Sequence, residues 1–384
     1  MRAILLKLLA AAALLALAEA AFRAGLWEPL AKPDSHAGTS VRLKRALTDP
    51  AVPRIDFVTL GSSRPEYGLD HEKIAAAARE RGLVHANLSM PGSHWMTVGI
   101  LGEWLARRHP ETRGAVIGLS IQDLAWAGNG DYELGIVQPF HRLADIPWIE
   151  KHVPFQRGDL ESYGVYSALF AWRQDIRNFI ASPRARLKSL RWWRTQKTPQ
   201  DLLFGNPQSQ GDMCAVGIDT LAACDRLDAS TDPQLAGLKR QCTEVRAAVS
   251  GGPDYAALMR QVPLPDALDA TRTLVRGQLE ASHWSRPPLV VLMPVPRIWR
   301  QGEHMRGLHQ WALAVLKPLA DAGRIHLVDA TEFFDSDADG GCSAFFDFYH
   351  QNALGRDRFT QWLLPTIEER LFAPAATPSR SAPP

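Results

Sequence analysis

The 384-residue chain is 46% hydrophobic and 22% charged, with a formal net charge of +2. That is the composition of a globular protein, long enough for one large domain with insertions or for two smaller ones. The near balance of charge gives no global case for nucleic-acid binding. Twelve tryptophans suggest a ring-rich cleft or interface, or packing alone.

At the start, Met1-Arg2 and Lys7 precede the apolar run Leu8 to Ala18, followed by Glu19-Ala20-Ala21-Phe22-Arg23. A basic start, an apolar core and Ala18-Glu19-Ala20 fit a secretory signal with an A-x-A cleavage site. An uncleaved anchor, about Ala3 to Leu26, fits as well, since a spanning helix needs about 20 mostly apolar residues. Segment 1–26 is therefore a signal peptide or a membrane anchor. Either way the rest of the chain is expected to be exported, to a periplasmic or cell-envelope location.

Residues 27 to 53 read as a polar, Pro-containing approach. Ile55 to Leu60 reads as a buried strand stopped by Gly61, and His71 to Arg81 as a helix ended by Gly82. A second strand, Val84 to Leu88, runs into Ser89-Met90-Pro91-Gly92-Ser93. A helix from His94 to His109 and a third strand, Gly114 to Leu119, follow. Strands separated by helices predict a parallel sheet with crossover helices.

From Trp126 the alternation stops. Residues 126–287 carry helical stretches, Pro-bounded loops and three of the four cysteines, and read as a mostly helical insertion. The rhythm resumes with a strand at Leu289 to Pro294, a helix from Glu303 to Ala322, and a strand at Ile325 to Asp329. The expected fold is thus α/β, a doubly wound parallel sheet assembled from 27–125 and 288–372, with a disordered tail at 373–384. Cys214, Cys224, Cys242 and Cys342 suit an oxidising compartment and allow three pairings, the near neighbours Cys214 and Cys224 being the first expectation. No cysteine or histidine spacing suggests zinc.

Open parallel sheets carry their sites at the carboxyl ends of strands. Ser62 and Ser63 fall after the first strand, Gly92 after the second, and Ser120 to Asp123 after the third. Asp347-Phe348-Tyr349-His350-Gln351-Asn352-Ala353-Leu354-Gly355 follows the fifth. A serine hydroxyl needs an adjacent base to become a nucleophile at neutral pH, and His350 titrates in the useful range. A carboxylate three residues earlier, Asp347, can hold the second ring nitrogen. Charge developing on an attacked carbonyl needs preset donors. The backbone N–H groups of Ser63 and Gly92 are candidates, with a side chain from Ser120 or Gln122.

These segments resemble the SGNH (GDSL-like) hydrolase superfamily, whose blocks occur in this order. Gly61-Ser62-Ser63 looks like the nucleophile block, Asn87-Leu88-Ser89-Met90-Pro91-Gly92 like the block with the oxyanion-hole glycine, and Asp347-x-x-His350 like the last. Ser62 replaces the usual Asp, and Gly118-Leu119-Ser120-Ile121-Gln122-Asp123 stands where G-x-N-D is usual. Such variants look most like membrane-anchored proteins that move acetyl or D-alanyl groups onto envelope polymers. The resemblance implies a flavodoxin-like SGNH fold and a serine esterase or O-acyltransferase acting on an acyl-ester or glycan-type substrate, without a cofactor. It implies catalytic roles for Ser63, His350 and Asp347. The contrasting expectation is a non-catalytic polymer-binding or scaffold protein that keeps the fold.

Three further signals are ambivalent. Asp335-Ser336-Asp337-Ala338-Asp339-Gly340 begins like a calcium loop, but the twelfth position, Phe346, lacks the required carboxylate. Arg184 to Lys197 holds six basic residues, no acid and a Trp pair, which fits either an anionic lipid surface or a solvated helix with its Trp residues turned inward. Arg64 is a substrate-binding candidate or a cap for local carbonyls. His94 is a cleft or loop histidine.

Overall fold

The computed structural model describes residues 2–93, 95–121, 135–152, 160–195, 198–209, 211–218, 220–227, 233–250, 275, 284–300 and 303–373. Its centre is a five-stranded, all-parallel sheet: β1 (Phe57–Gly61), β2 (His85–Asn87), β3 (Gly114–Leu119), β4 (Leu289–Leu292) and β5 (His326–Asp329). The strand order is β2-β1-β3-β4-β5. In register, Phe57 lies beside His85 on one side and beside Gly114 on the other, while Val116 pairs with Leu289 and Leu289 with His326. Every residue of β1 to β4 is buried. That explains why β1, β3 and β4 read as near-continuous apolar runs rather than alternating ones. The order reverses at β1, whose two neighbours are reached by crossovers running in opposite directions, so a crevice opens at the carboxyl ends of β1 and β3.

The helices follow in chain order. Helix α1 spans Arg2–Arg23 and α2 spans His36–Leu47, while α3 (Ser63–Gly68), α4 (His71–Glu80) and α5 (Trp95–Arg108) cross between the first three strands. The described residues between β3 and β4 contain helices α6 (Ile146–His152), α7 (Ala168–Ala171), α8 (Arg173–Ala181), α9 (Pro183–Trp193), α10 (Pro199–Phe204), α11 (Leu221–Arg226) and α12 (Pro233–Ser250). Helices α13 (Glu303–Asp321) and α14 (Ala353–Ile367) complete the sheet's flanks. Right-handed crossovers put α4 and α5 on opposite faces, and α4 packs with α14 while α12 packs with α13.

Two expectations change. The approach at 27–53 contains α2, capped by Ser35, whose hydroxyl accepts from Gly38 N at 3.0 Å. Its Leu43, Ala46 and Leu47 enter the main core. The helix is polar in composition, so only its burial against the core makes it recognisable. The cysteines also pair differently, as Cys214–Cys342 and Cys224–Cys242. Cys224 lies on α11, which packs on α12 and so faces Cys242, whereas Cys214 lies beside the chain that precedes Asp347. There Met213 N donates to Phe345 O at 2.9 Å. Proximity along the chain was the wrong guide because Cys224 sits in α11, against Cys242 of α12, while Cys214 sits beside the Phe345 segment. Among the described inserted residues, Ala168 and Trp172 join a small cluster with Ala31 and Val41, and others enter the main core. Leu203, Met213, Ile218, Cys224 and Val245 all belong to the cluster that surrounds the sheet.

A candidate active site at the carboxyl edge of the sheet

The turn after β1 is unusually tight. Gly61 has φ +138°, and a Cβ there would meet Gly118 O at 2.3 Å and Pro65 Cγ at 2.6 Å. Gly118 on β3 is equally constrained, since its Cβ would meet Pro65 Cβ at 2.5 Å. Two glycines in neighbouring strands thus let α3 settle directly on the sheet edge. Ser62 caps α3, its hydroxyl accepting from Arg64 N at 3.3 Å, a role serine fills as well as aspartate does. Ser63 is the first residue of this helix and is partly exposed.

The Asp347–His350 segment is a closed loop. Phe345 and Gln351 form an antiparallel bridge, and Phe346 N donates to His350 O at 3.1 Å. Asn352 caps α14 by accepting from Gly355 N at 3.0 Å, and its amide donates to Gly211 O and Ser343 O at 3.0 and 2.7 Å. Gly355 is required because a Cβ there would meet Ala344 O at 2.1 Å. The N-x-x-G that follows the histidine is therefore a helix start pressed against the preceding loop.

These two segments, 287 residues apart, meet. His350 Nε2 lies 2.7 Å from Ser63 Oγ. His350 Nδ1 lies 3.0 Å from both carboxylate oxygens of Asp347. A carboxylate only accepts, so Nδ1 carries the proton toward Asp347, and Nε2 is left to accept from the Ser63 hydroxyl. Asp347 Oδ1 also accepts from the backbone N–H groups of Tyr349 and His350, both at 2.8 Å. Burial raises the Asp347 carboxyl, but the bonds from His350, the imidazolium charge, Tyr349 N–H and Gln241 outweigh it and hold the group below the ordinary carboxylate range. Phe346 stacks on the His350 ring at 5.4 Å between centroids, and Tyr67 lies against it at 5.0 Å. Burial, then the charges of Glu66 and Asp347, raise the Tyr67 phenol above its usual value, so it remains neutral beside the ring.

Gln241 escaped the sequence reading. It projects from α12, with Nε2 donating to Asp347 Oδ2 at 3.2 Å and Oε1 accepting from Phe348 N at 3.2 Å. Only this orientation satisfies both partners, because a backbone N–H can only donate. No spacing in the sequence marks it. Its neighbour Cys242 is bonded to Cys224, so the disulfide fixes the helix at the very point where it touches the site.

The other expected residues are placed as follows. Gly92 adopts φ +72° in the loop after β2, and that loop is tied to the turn that carries Ser63 because Gly61 O accepts from both Met90 N (2.9 Å) and Ser93 Oγ (2.6 Å). Ser120 directly follows β3 and is fully buried. Gln122, Asp123 and His94 lie outside the described residues, as do the tail from 374 and much of 126–287. Arg64 meets a carbonyl of the histidine loop. It is buried, donates to Tyr349 O at 3.3 Å and lies 5.1 Å from the Tyr349 ring centroid, bracing α3 against the histidine loop.

The acidic turn binds its own arginines. Arg358 makes paired bonds to Asp337 at 2.7 and 2.8 Å, and Arg300 engages Asp335. One cluster of metal-ligating residue types occurs among the described residues, Cys214, Asp339 and Cys342. Its two sulfurs are bonded to each other, which removes them as ligands.

The fold and site define an α/β protein with a serine, histidine and aspartate hydrogen-bonded in sequence at the carboxyl edge of a parallel sheet. The sequence matches no protein-family model and no curated protein.

Proposed function

We infer that the protein is an exported SGNH-like serine esterase or O-acyltransferase acting on an acyl ester of an envelope carbohydrate or polymer. The observation that carries this reading is the unbroken contact from Asp347 through His350 to the Ser63 hydroxyl. In the first half-reaction Ser63 Oγ bonds to the acyl carbon while its proton passes to His350 Nε2. Collapse of the tetrahedral intermediate breaks the ester bond, and the leaving alcohol takes that proton. In the second half-reaction water or a sugar hydroxyl gives a proton to His350 and attacks the acyl-enzyme, which returns the hydrogen to Ser63. Asp347 fixes the ring and balances the imidazolium charge formed in each half. Esterase and transferase differ only in which acceptor reaches the acyl-enzyme. The backbone N–H of Ser63 and of Gly92, in the loop held against Gly61, are the donors assigned to the developing oxyanion.

The N-terminal helix supports the export part of the reading. It is 22 residues long and mostly apolar, and none of its residues is buried. The test is labelling by a fluorophosphonate. Folded wild-type protein is expected to react at Ser63, with Ser63→Ala unreactive and His350→Ala reacting far more slowly. A folded wild type that does not react overturns this reading and supports a non-catalytic polymer-binding or scaffold protein.

A further inference from the structure

The basic, tryptophan-containing segment has no part in the chemistry above, and the structure gives it a location. Helix α1, at about 1.5 Å per residue, is about 33 Å long, enough for the hydrocarbon thickness of a bilayer. Its last turn does not hang free. Glu19 accepts from Ser167 Oγ and Ala168 N, both at 2.8 Å, and from Leu169 N at 3.1 Å, so it is bonded to the start of α7. Trp27, four residues beyond α1, stacks on Phe22 and meets Phe179 of α8 edge-on, while its indole N–H donates to Asp175 at 2.8 Å. Arg186 of α9 closes the assembly, donating to Leu30 O at 2.7 Å and Asp175 at 3.0 Å. The α8–α9 hairpin is thus fixed to the foot of the apolar helix, where α1 would leave a bilayer.

Helix α9 has two unlike faces. Arg186, Leu190 and Trp193 turn inward; Arg186 is buried and Trp193 covers Arg42 at 4.5 Å. On the other side Arg184, Leu187, Lys188, Arg191 and Trp192 are all exposed and fall within about 140° of the helix circumference at 3.6 residues per turn. That face carries three cations and no acid. Its apolar residues are left in solvent, Leu187 at 43% and Trp192 at 55% exposure, with Ile180 of α8 at 71% and Leu26 at 69% nearby in the chain's path. Exposed leucine, isoleucine and tryptophan among lysine and arginine are the composition of a helix lying in the headgroup region of an anionic bilayer.

We propose that the outer face of α9 is a membrane-docking surface for anionic lipid, seated beside the point where α1 enters the bilayer. It acts together with α1 as a second contact, fixing the orientation of the domain, and hence of the Ser63 edge, relative to the membrane rather than leaving it to swing on one helix. The proposal rests on α1 spanning a membrane and not on any chemistry at Ser63.

The test uses the full chain in nanodiscs of phosphatidylcholine, with or without phosphatidylglycerol, each doped with a phospholipid carrying a diazirine near the headgroup. Cross-linked peptides are mapped by mass spectrometry. The peptide holding Leu187 to Trp192 is expected to label at least about fivefold more in the anionic discs, the preference a single cation near such a surface supplies. The preference should vanish in Arg184→Glu/Lys188→Glu/Arg191→Glu. It should also collapse for the wild type in 1 M salt, where screening acts within about 3 Å, so the result does not depend on the variant folding. Labelling of α1 without lipid-dependent labelling of α9 overturns the docking surface and leaves the anchor standing. Absence of label from both overturns the docking surface and the anchor together. Neither result bears on reaction at Ser63, which the fluorophosphonate reports separately.

Discussion

Gln241→Glu is the most incisive perturbation of the site, because it changes one atom's chemistry with almost no change of shape. In the wild type the Gln241 amide donates to Asp347 Oδ2 at 3.2 Å and accepts from Phe348 N. An ionised carboxylate in its place keeps the second bond and turns the first into a repulsion. Two unit charges 3.2 Å apart at an effective dielectric of about 20 repel by about 5 kcal/mol, so the pair takes up a proton instead of ionising twice. While protonated, the introduced carboxyl donates to Asp347 much as the amide does, and the rate stays near that of wild type. As pH rises and that proton leaves, Asp347 is repelled from its position and no longer orients the His350 ring toward Ser63. The pH profile of kcat/KM for an aryl acetate should therefore gain a descending alkaline limb that the wild type lacks, with KM little changed. Gln241→Met should show no such limb but a uniform loss of about ten- to a hundredfold, from a charge-assisted hydrogen bond worth about 1.5–3 kcal/mol. A Gln241→Glu profile that follows wild type at every pH would refute the claim that α12 acts on Asp347.

Further outcomes follow from the same structure. Gly61→Ala places a Cβ against Gly118 O at a φ of +138°. It is expected to shift the Ser63 turn and lower kcat by about a hundredfold or more, and unchanged turnover would contradict the packing described. Removing Cys214–Cys342, which closes 128 residues, should cost about 5 kcal/mol in urea unfolding, against about 3 kcal/mol for Cys224–Cys242 with its separation of 18. The reverse ranking would show that loop closure is not what these bonds supply. His71 and His85 are fully buried, and burial holds them neutral, down to about 4 and about 3. The unfolded chain therefore binds more protons than the folded one below the usual histidine value of about 6.5. Each residue then lowers stability by about 1.4 kcal/mol per pH unit as pH falls from there, His71 levelling near pH 4 and His85 near pH 3. Urea midpoints at pH 7 and pH 5 measure the slope, and equal midpoints would show that both histidines titrate normally when folded.

The buried strands were legible because a parallel sheet covered on both faces demands uninterrupted apolar residues, as in Gly114–Leu119, whose ends agree with the sequence reading. Ser63, Asp347 and His350 were legible because their spacing and order within loops after strands are local properties. Gly61, Gly118 and Gly355 were visible as letters, but their necessity appears only when the atoms opposite them are known. Helix α2 was hidden by its polar composition, and its membership of the core comes from what it packs against. The cysteine pairing, the role of Gln241, and the attachment of α9 to the foot of α1 were beyond the sequence for a single reason. Each depends on two segments whose separation along the chain carries no information about their distance in space. Local composition and periodicity determined the strands, the N-terminal apolar helix and the order of Ser63, Asp347 and His350 along the chain. Tertiary packing alone decided which helix steadies the aspartate, which sulfurs meet, and which face of a basic helix remains open to a membrane.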